Sequence, residues 1–181
     1  AYGVPEVVAA HARLCDLAVA GVGGGAFGNE RGVAEHMLFA AGRPLIVVPQ
    51  DWERGFSAAR PVVAWDCSRA AARALGDAMP FLREAEETMF VSFADDKPME
   101  SCIRPDVMAE ALRRRGIRPA FEQASRSGRP IAEALGEFAE AAGADMLVMG
   151  AFGHSRLRDF VLGGATRGVL ERPRLPTLLS H

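Results

Sequence analysis

The chain has 181 residues, 49% of them hydrophobic, and a formal net charge of −2. That length suits one ordinary domain, or one domain with part of another, and can bury a sizeable core. No apolar run of membrane-spanning length and no basic-then-apolar start is present, so neither a membrane span nor a signal peptide is supported, and the near-neutral balance gives no global reason to bind nucleic acid or an acidic membrane.

Taken in order, residues 6–14 read as the end of a helix and 16–21 (DLAVAG) as a short buried strand. A glycine-rich turn with Gly23, Gly24, Gly25 and Gly28 follows, then a helix over about 29–41 stopped at Gly42, then a second apolar strand over 44–48. Residues 50–59 (QDWERGFSAA) break the apolar pattern with charge, glycine and serine and read as a linker. Beyond it, 61–65 is a buried strand ending at Asp66, and Ser68 can cap a helix running to about Glu84, kinked or ended early by Pro80. A strand over 88–94, a polar loop, a helix over 105–115 stopped by Gly116, and a strand over 117–124 with Phe121 interior come next. Pro130 starts a helix over 131–142, a fourth strand begins at Asp145, and the last runs over 176–180. From residue 60 the order is βαβαβαβαβ, which predicts a doubly wound, five-stranded parallel sheet with helices on both faces. Right-handed crossovers put the reversal of strand order between the first and fourth of these strands, with a ligand crevice at their carboxyl ends, where Asp66 and Gly150 should meet.

The segment 145–150 (DMLVMG) repeats 16–21 (DLAVAG) at a spacing of 129 residues; each is followed by a glycine turn, a helix and a strand opening at proline, Pro44 or Pro176. Residues 1–50 therefore read as the carboxyl-terminal part of a first unit, 51–59 as the linker and 60–181 as a complete unit. An orphan strand–helix–strand leaves a strand edge and apolar surface open, so it should pair with the last strand of the full unit or with a second chain.

After the strand ending at Gly150, the turn to Gly153 and the helical pattern of Leu157, Phe160, Val161 and Leu162 form strand, tight turn and helix. Unpaired helix N–H groups with the positive dipole end behind them suit a phosphate, although a parallel sheet also needs glycine there for packing alone. His154 and Ser155 can donate to a phosphate, and Arg156 adds charge. Asp66 can accept from a ribose hydroxyl or an exocyclic amine, or can serve as a helix cap shared with Ser68. Cys67 at a helix start reads as a small filler rather than a reactive thiol. Cys15, Cys67 and Cys102, odd in number and at unrelated spacings, fit a reducing cytoplasm and argue against a disulfide framework or a zinc cluster. Lys97, the only lysine among 21 basic residues, follows no glycine, which excludes a Walker A loop. The four histidines lack metal spacing and no G-x-S-x-G elbow occurs, so no catalytic set assembles.

Gly150-x-x-Gly153, nine residues, Gly163, then Gly164-Ala-Thr166 resembles the phosphate-binding motif of the universal stress protein family (UspA-like), and the likeness spans 60–181 with Asp66 at the family's first-strand aspartate. The whole chain is similar to tandem members of that family with an incomplete first copy. The resemblance implies a Rossmann-like, adenine nucleotide alpha hydrolase-like fold. It implies an ATP or AMP site, with Mg2+ accompanying ATP, in which Asp66 and the strand end near Phe93 hold the adenosine. Gly150, Gly153, Gly163 and the following hydroxyl would hold phosphates. It also implies a stress-response role with no turnover or slow ATP hydrolysis, and a homodimer or pseudo-dimer through the final strands; the alternative is a scaffold of the same fold that binds no nucleotide. Gly164 departs from the family, standing where a Ser or Thr usually follows the third glycine and leaving Thr166 and a backbone amide.

Overall fold

The computed structural model describes residues 3–23, 30–95, 103–151 and 164–181. The first part of the chain forms α1 (Val4–Ala12), β1 (Ala18–Val22), α2 (Glu30–Ala40) and β2 (Leu45–Pro49). After the linker come β3 (Pro61–Ala64), α3 (Arg69–Asp77), α4 (Met79–Glu84), β4 (Thr88–Phe93), α5 (Pro105–Arg114) and β5 (Pro119–Ala124). The chain continues with α6 (Ile131–Ala141), β6 (Met146–Gly150), α7 (Gly164–Glu171) and β7 (Thr177–Ser180).

Among the described residues, seven strands join one sheet in the order β1-β2-β7-β6-β3-β4-β5. Within 60–181 every pairing is parallel, and β3 lies between β6 and β4, so the strand order reverses at β3 as the crossover rule requires. Strands buried on both faces need continuous apolar runs, and β6 shows this in Met146, Leu147, Val148 and Met149, all buried. Alternation sends Leu147 and Met149 into one core with Val62, Val91 and Leu179. Met146 and Val148 go into the opposite core with Val63, Phe90 and Leu178.

The two parts of the chain meet through β2 and β7, which are antiparallel: Leu45 opposes Leu179, Ile46 opposes Leu178 and Val47 opposes Thr177. Of the two partners expected for the first strand–helix–strand, the one within the chain is used: β2 lies on β7, the last strand. Arg31 of α2 adds an ion pair to Glu171 of α7 at 2.6 Å. The linker is tied back by Asp145, whose carboxylate accepts from the N–H groups of Ala59 (2.8 Å) and Arg60 (3.0 Å).

The interruption expected at Pro80 is present: Ala78 ends α3 and starts α4, because Pro80 has no N–H to continue the ladder and its ring opposes the carbonyl one turn back. One expectation is corrected. Phe121 is not interior. It lies on β5, an edge strand of the sheet, is 36% exposed and stacks its ring on buried Phe90 with centroids 5.3 Å apart.

Candidate functional site

Two of the residues expected at a site, Asp66 and Gly150, lie at the carboxyl ends of β3 and β6. Asp66 follows β3 by two residues and is exposed. Its Oδ1 accepts the Ser68 N–H at 3.0 Å, and Ser68 Oγ accepts the Ala71 N–H at 3.0 Å as the cap of α3. The cap role weighed for Asp66 is thus present in part, as a turn that delivers the chain into the helix. Such a turn fixes the carboxylate just beyond the end of β3.

Gly150 ends β6 directly beneath α3. A Cβ there would lie 2.4 Å from the Ala70 carbonyl carbon and 2.5 Å from the Ala71 nitrogen, so only glycine lets the first turn of α3 descend onto the strand. Asp66 and Gly150 therefore stand at the same end of adjacent strands, on either side of the start of α3, at the reversal of strand order. On the far side of β3, Asp95 closes the rim after β4. Its carboxylate accepts from the N–H groups of Arg126 (2.9 Å) and Ser127 (3.0 Å) and from Ser125 Oγ (3.0 Å). The Arg126 bond first, helped by the hydroxyl of Ser125 and the amide of Ser127, holds that carboxyl below the usual carboxylate range. Sequence reasoning missed Asp95; the signal was an aspartate at a strand end facing a Ser-Arg-Ser turn.

Phe93 packs its ring in the core beside Val62 and Val91, which leaves the β4 backbone as what this strand end offers at the rim. Gly164 opens α7 and is exposed, and a Cβ there would meet no described atom within 4 Å. Thr166 is 2% exposed within α7, so its hydroxyl lies inside the fold rather than on the open rim. Gly153, His154, Ser155 and Gly163 lie outside the described residues, as do Arg156 and the helical pattern from Leu157 to Leu162. His181 was not singled out either. Its Nδ1 is 3.3 Å from the Ala151 carbonyl and its ring sits edge-on to Phe39, which brings an imidazole to the start of the turn after β6.

The reading of the cysteines is corrected. Cys67, between Asp66 and the cap Ser68, has a left-handed φ of 60° and is disulfide-bonded, whereas Cys15 is free and exposed. An odd count is compatible with one pair and one spare thiol; Cys102 lies outside the described residues. Among the described residues no three His, Cys, Asp or Glu side chains come together as a metal cluster, and no helix is long and apolar enough to cross a membrane.

Against known proteins, no curated protein matches this chain. A universal stress protein from Archaeoglobus fulgidus DSM 4304 superposes with a TM-score of 0.73 at 21% identity, over 97% of this chain and 64% of that one. This chain thus spans under two thirds of that relative's length. A functionally unknown protein from Pseudomonas aeruginosa PAO1 gives 0.66 at 13% identity, over 99% of this chain and 68% of that one. UspA from Lactobacillus plantarum gives 0.51 at 14% identity, over 70% of this chain and all of that one. These likenesses show the fold. Residues 60–181 match the Universal stress protein family, and with the reversal at β3, the glycine under α3 and the aspartate at its lip, the chain belongs to that family.

Proposed function

We propose that this chain holds an adenine nucleotide, ATP or AMP, at the carboxyl ends of β3 and β6, with no turnover or very slow hydrolysis. The observation that carries the reading is the pairing of Asp66 and Gly150 at the two lips of the strand-order reversal, where open α/β sheets take their ligands. In this reading the Asp66 carboxylate accepts from ribose hydroxyls and the β4 end near Phe93 borders the adenosine. Gly150, Gly153, His154, Ser155, Gly163 and Gly164 serve the phosphates through N–H and hydroxyl donors, while buried Thr166 supports the start of α7 from within. Mg2+ would arrive on the phosphates of ATP. Titration of labelled ATP and AMP tests the reading: saturable binding below millimolar is expected, weakened at least tenfold by Asp66→Ala. No saturable binding by the unaltered chain sinks it.

Gly164 favours a second reading, a scaffold that keeps the fold for partner contact and binds no nucleotide. Mass spectrometry of gently denatured protein separates the two, because a copurified adenine nucleotide is expected only in the first.

A further inference from the structure

Three cysteines occur in the sequence, and they stand in different states: Cys15 is free and exposed, while Cys67 is disulfide-bonded. Cys102, outside the described residues, is the remaining cysteine of the sequence. Cys67 stands between the two residues that shape the end of β3. Up to Trp65, whose N–H donates to the Val91 carbonyl at 2.8 Å, the chain still lies against β4. It then turns sharply: the Ser68 N–H reaches back to Asp66 Oδ1 at 3.0 Å, and Ser68 Oγ caps α3 through the Ala71 N–H. The residue spanned by that turn is Cys67, whose φ of 60° lies in the left-handed region. Glycine enters that region freely, and asparagine or aspartate with local hydrogen bonds, but a cysteine is strained in it. The disulfide supplies the restraint that the local sequence lacks.

We propose that the Cys67 disulfide is a redox lock on the turn that carries Asp66, a device that presupposes the adenine-nucleotide reading of that site. Closed, the bond keeps the site in shape; opened by a dithiol, it lets the turn relax and the nucleotide go. In the closed state the left-handed Cys67 keeps the Asp66 carboxylate on the Ser68 N–H and delivers the first turn of α3 onto Gly150, with which Ala70 and Ala71 are in close contact. Opening is a two-electron exchange. One thiolate of the dithiol attacks a sulfur of the bond, forming a mixed disulfide, and the other cysteine leaves as a thiolate that takes up a proton. The second thiol of the reductant then closes its own disulfide and releases the first cysteine, so two cysteine thiols and one oxidised dithiol result. The positive end of the α3 dipole favours departure of the Cys67 sulfur as a thiolate. Once freed, Cys67 returns to the extended or right-handed backbone, and Asp66 loses its place. A small disulfide runs the same steps backwards.

The test titrates labelled ATP into the unaltered chain before and after treatment with a dithiol, with a thiol count expected to rise from one to three. Amide exchange of Ser68 and Ala71 is followed alongside, as a readout that needs no nucleotide. Reduction should weaken ATP binding about tenfold and speed exchange of both amides by about as much. Cys67→Gly should bind as the oxidised chain does and ignore the dithiol, because glycine takes a φ of 60° with no crosslink. Cys67→Ala should bind as the reduced chain does, with or without the dithiol. Simple loss of a stabilising crosslink would weaken both Cys67 variants alike, and that outcome overturns the proposal. So does a fully reduced chain that binds ATP as tightly as the oxidised one, or an untreated chain that already counts three thiols. If neither redox state binds ATP, the nucleotide reading falls and the two amides decide the lock: faster exchange on reduction, suppressed by Cys67→Gly, supports it, and exchange indifferent to the dithiol overturns it.

Discussion

Gly150 and Gly164 belong to one glycine-rich motif, but the backbone demands only the first. An alanine methyl at 150 would be driven into the peptide joining Ala70 and Ala71, and neither strand nor helix can yield cheaply. Position 164 is exposed at the start of α7 and has no described neighbour within 4 Å of a Cβ. A serine there fits, and on a helix it is favoured over glycine by roughly 0.5 kcal/mol. If the nucleotide reading is right, the new hydroxyl adds a hydrogen bond to a charged phosphate of about 1.5 kcal/mol, or roughly tenfold in affinity. Gly164→Ser should therefore tighten ATP binding about tenfold in the labelled titration with the melting temperature held or raised. Unchanged affinity in a folded variant would mean that the start of α7 does not face the phosphates. The motif made these glycines legible in the sequence, but their separate duties depend on which helix lies overhead, and spacing does not encode that. Asp66 illustrates the same limit: its strand-end position was readable, while the Asx turn to Ser68 is a choice of local geometry made by the folded chain.

Among elements, α6 and α7 come close together at Gly168. A Cβ at Gly168 would sit 2.5 Å from the Ala132 Cβ, well inside contact distance for two methyls that have no freedom to move aside. Gly168→Ala improves intrinsic helix propensity by up to about 1 kcal/mol, yet overpacking of this kind costs typically about 1–3 kcal/mol. The net expectation is a destabilised protein, read as a lower midpoint in urea with an unchanged slope; a stabilised variant would show that α7 can shift without loss. Element types and order were legible because the central strands β2, β3, β6 and β7 are buried on both faces, so they are plain apolar runs between glycine and proline punctuation. What failed was side-chain facing at an edge. Phe121 has the composition of a core residue, but β5 has a neighbour on one side only and the ring lies half open over Phe90. The break at Ala78 was signalled by Pro80, although a kinked helix and two helices differ only in whether the next turn recovers the axis.

For the molecule as a whole, the antiparallel joint of β2 and β7 is the organising contact. Its register is symmetric when β1 and β2 are set on β6 and β7: Ile46 opposite Leu178 lies at the centre, and the pairs Leu45 with Leu179 and Val47 with Thr177 exchange. The repeat in the sequence foretold that the first strand–helix–strand would cover the last strand or seek a second chain; the local pattern could not choose, because either partner satisfies the same edge. The symmetry has a consequence for a chain cut in the linker. Without residues 3–49, β7 becomes an edge strand whose Thr177, Leu178 and Leu179, each at most 1% exposed in the intact chain, face water on that side. A flat apolar edge of that kind pairs with whatever complementary strand is available, and the symmetric register means that a second β7 offers the geometry β2 offered. Residues 60–181 alone should therefore form a homodimer centred on Leu178 against its copy, while the intact chain forms none through this edge. Light scattering over a concentration series reads the outcome, and Leu178→Lys should return the shortened chain to a monomer. A shortened chain that stays monomeric and folded would show instead that β2 is held by the Arg31–Glu171 ion pair and by the packing of α2 beside α7, with the strand pairing following from them.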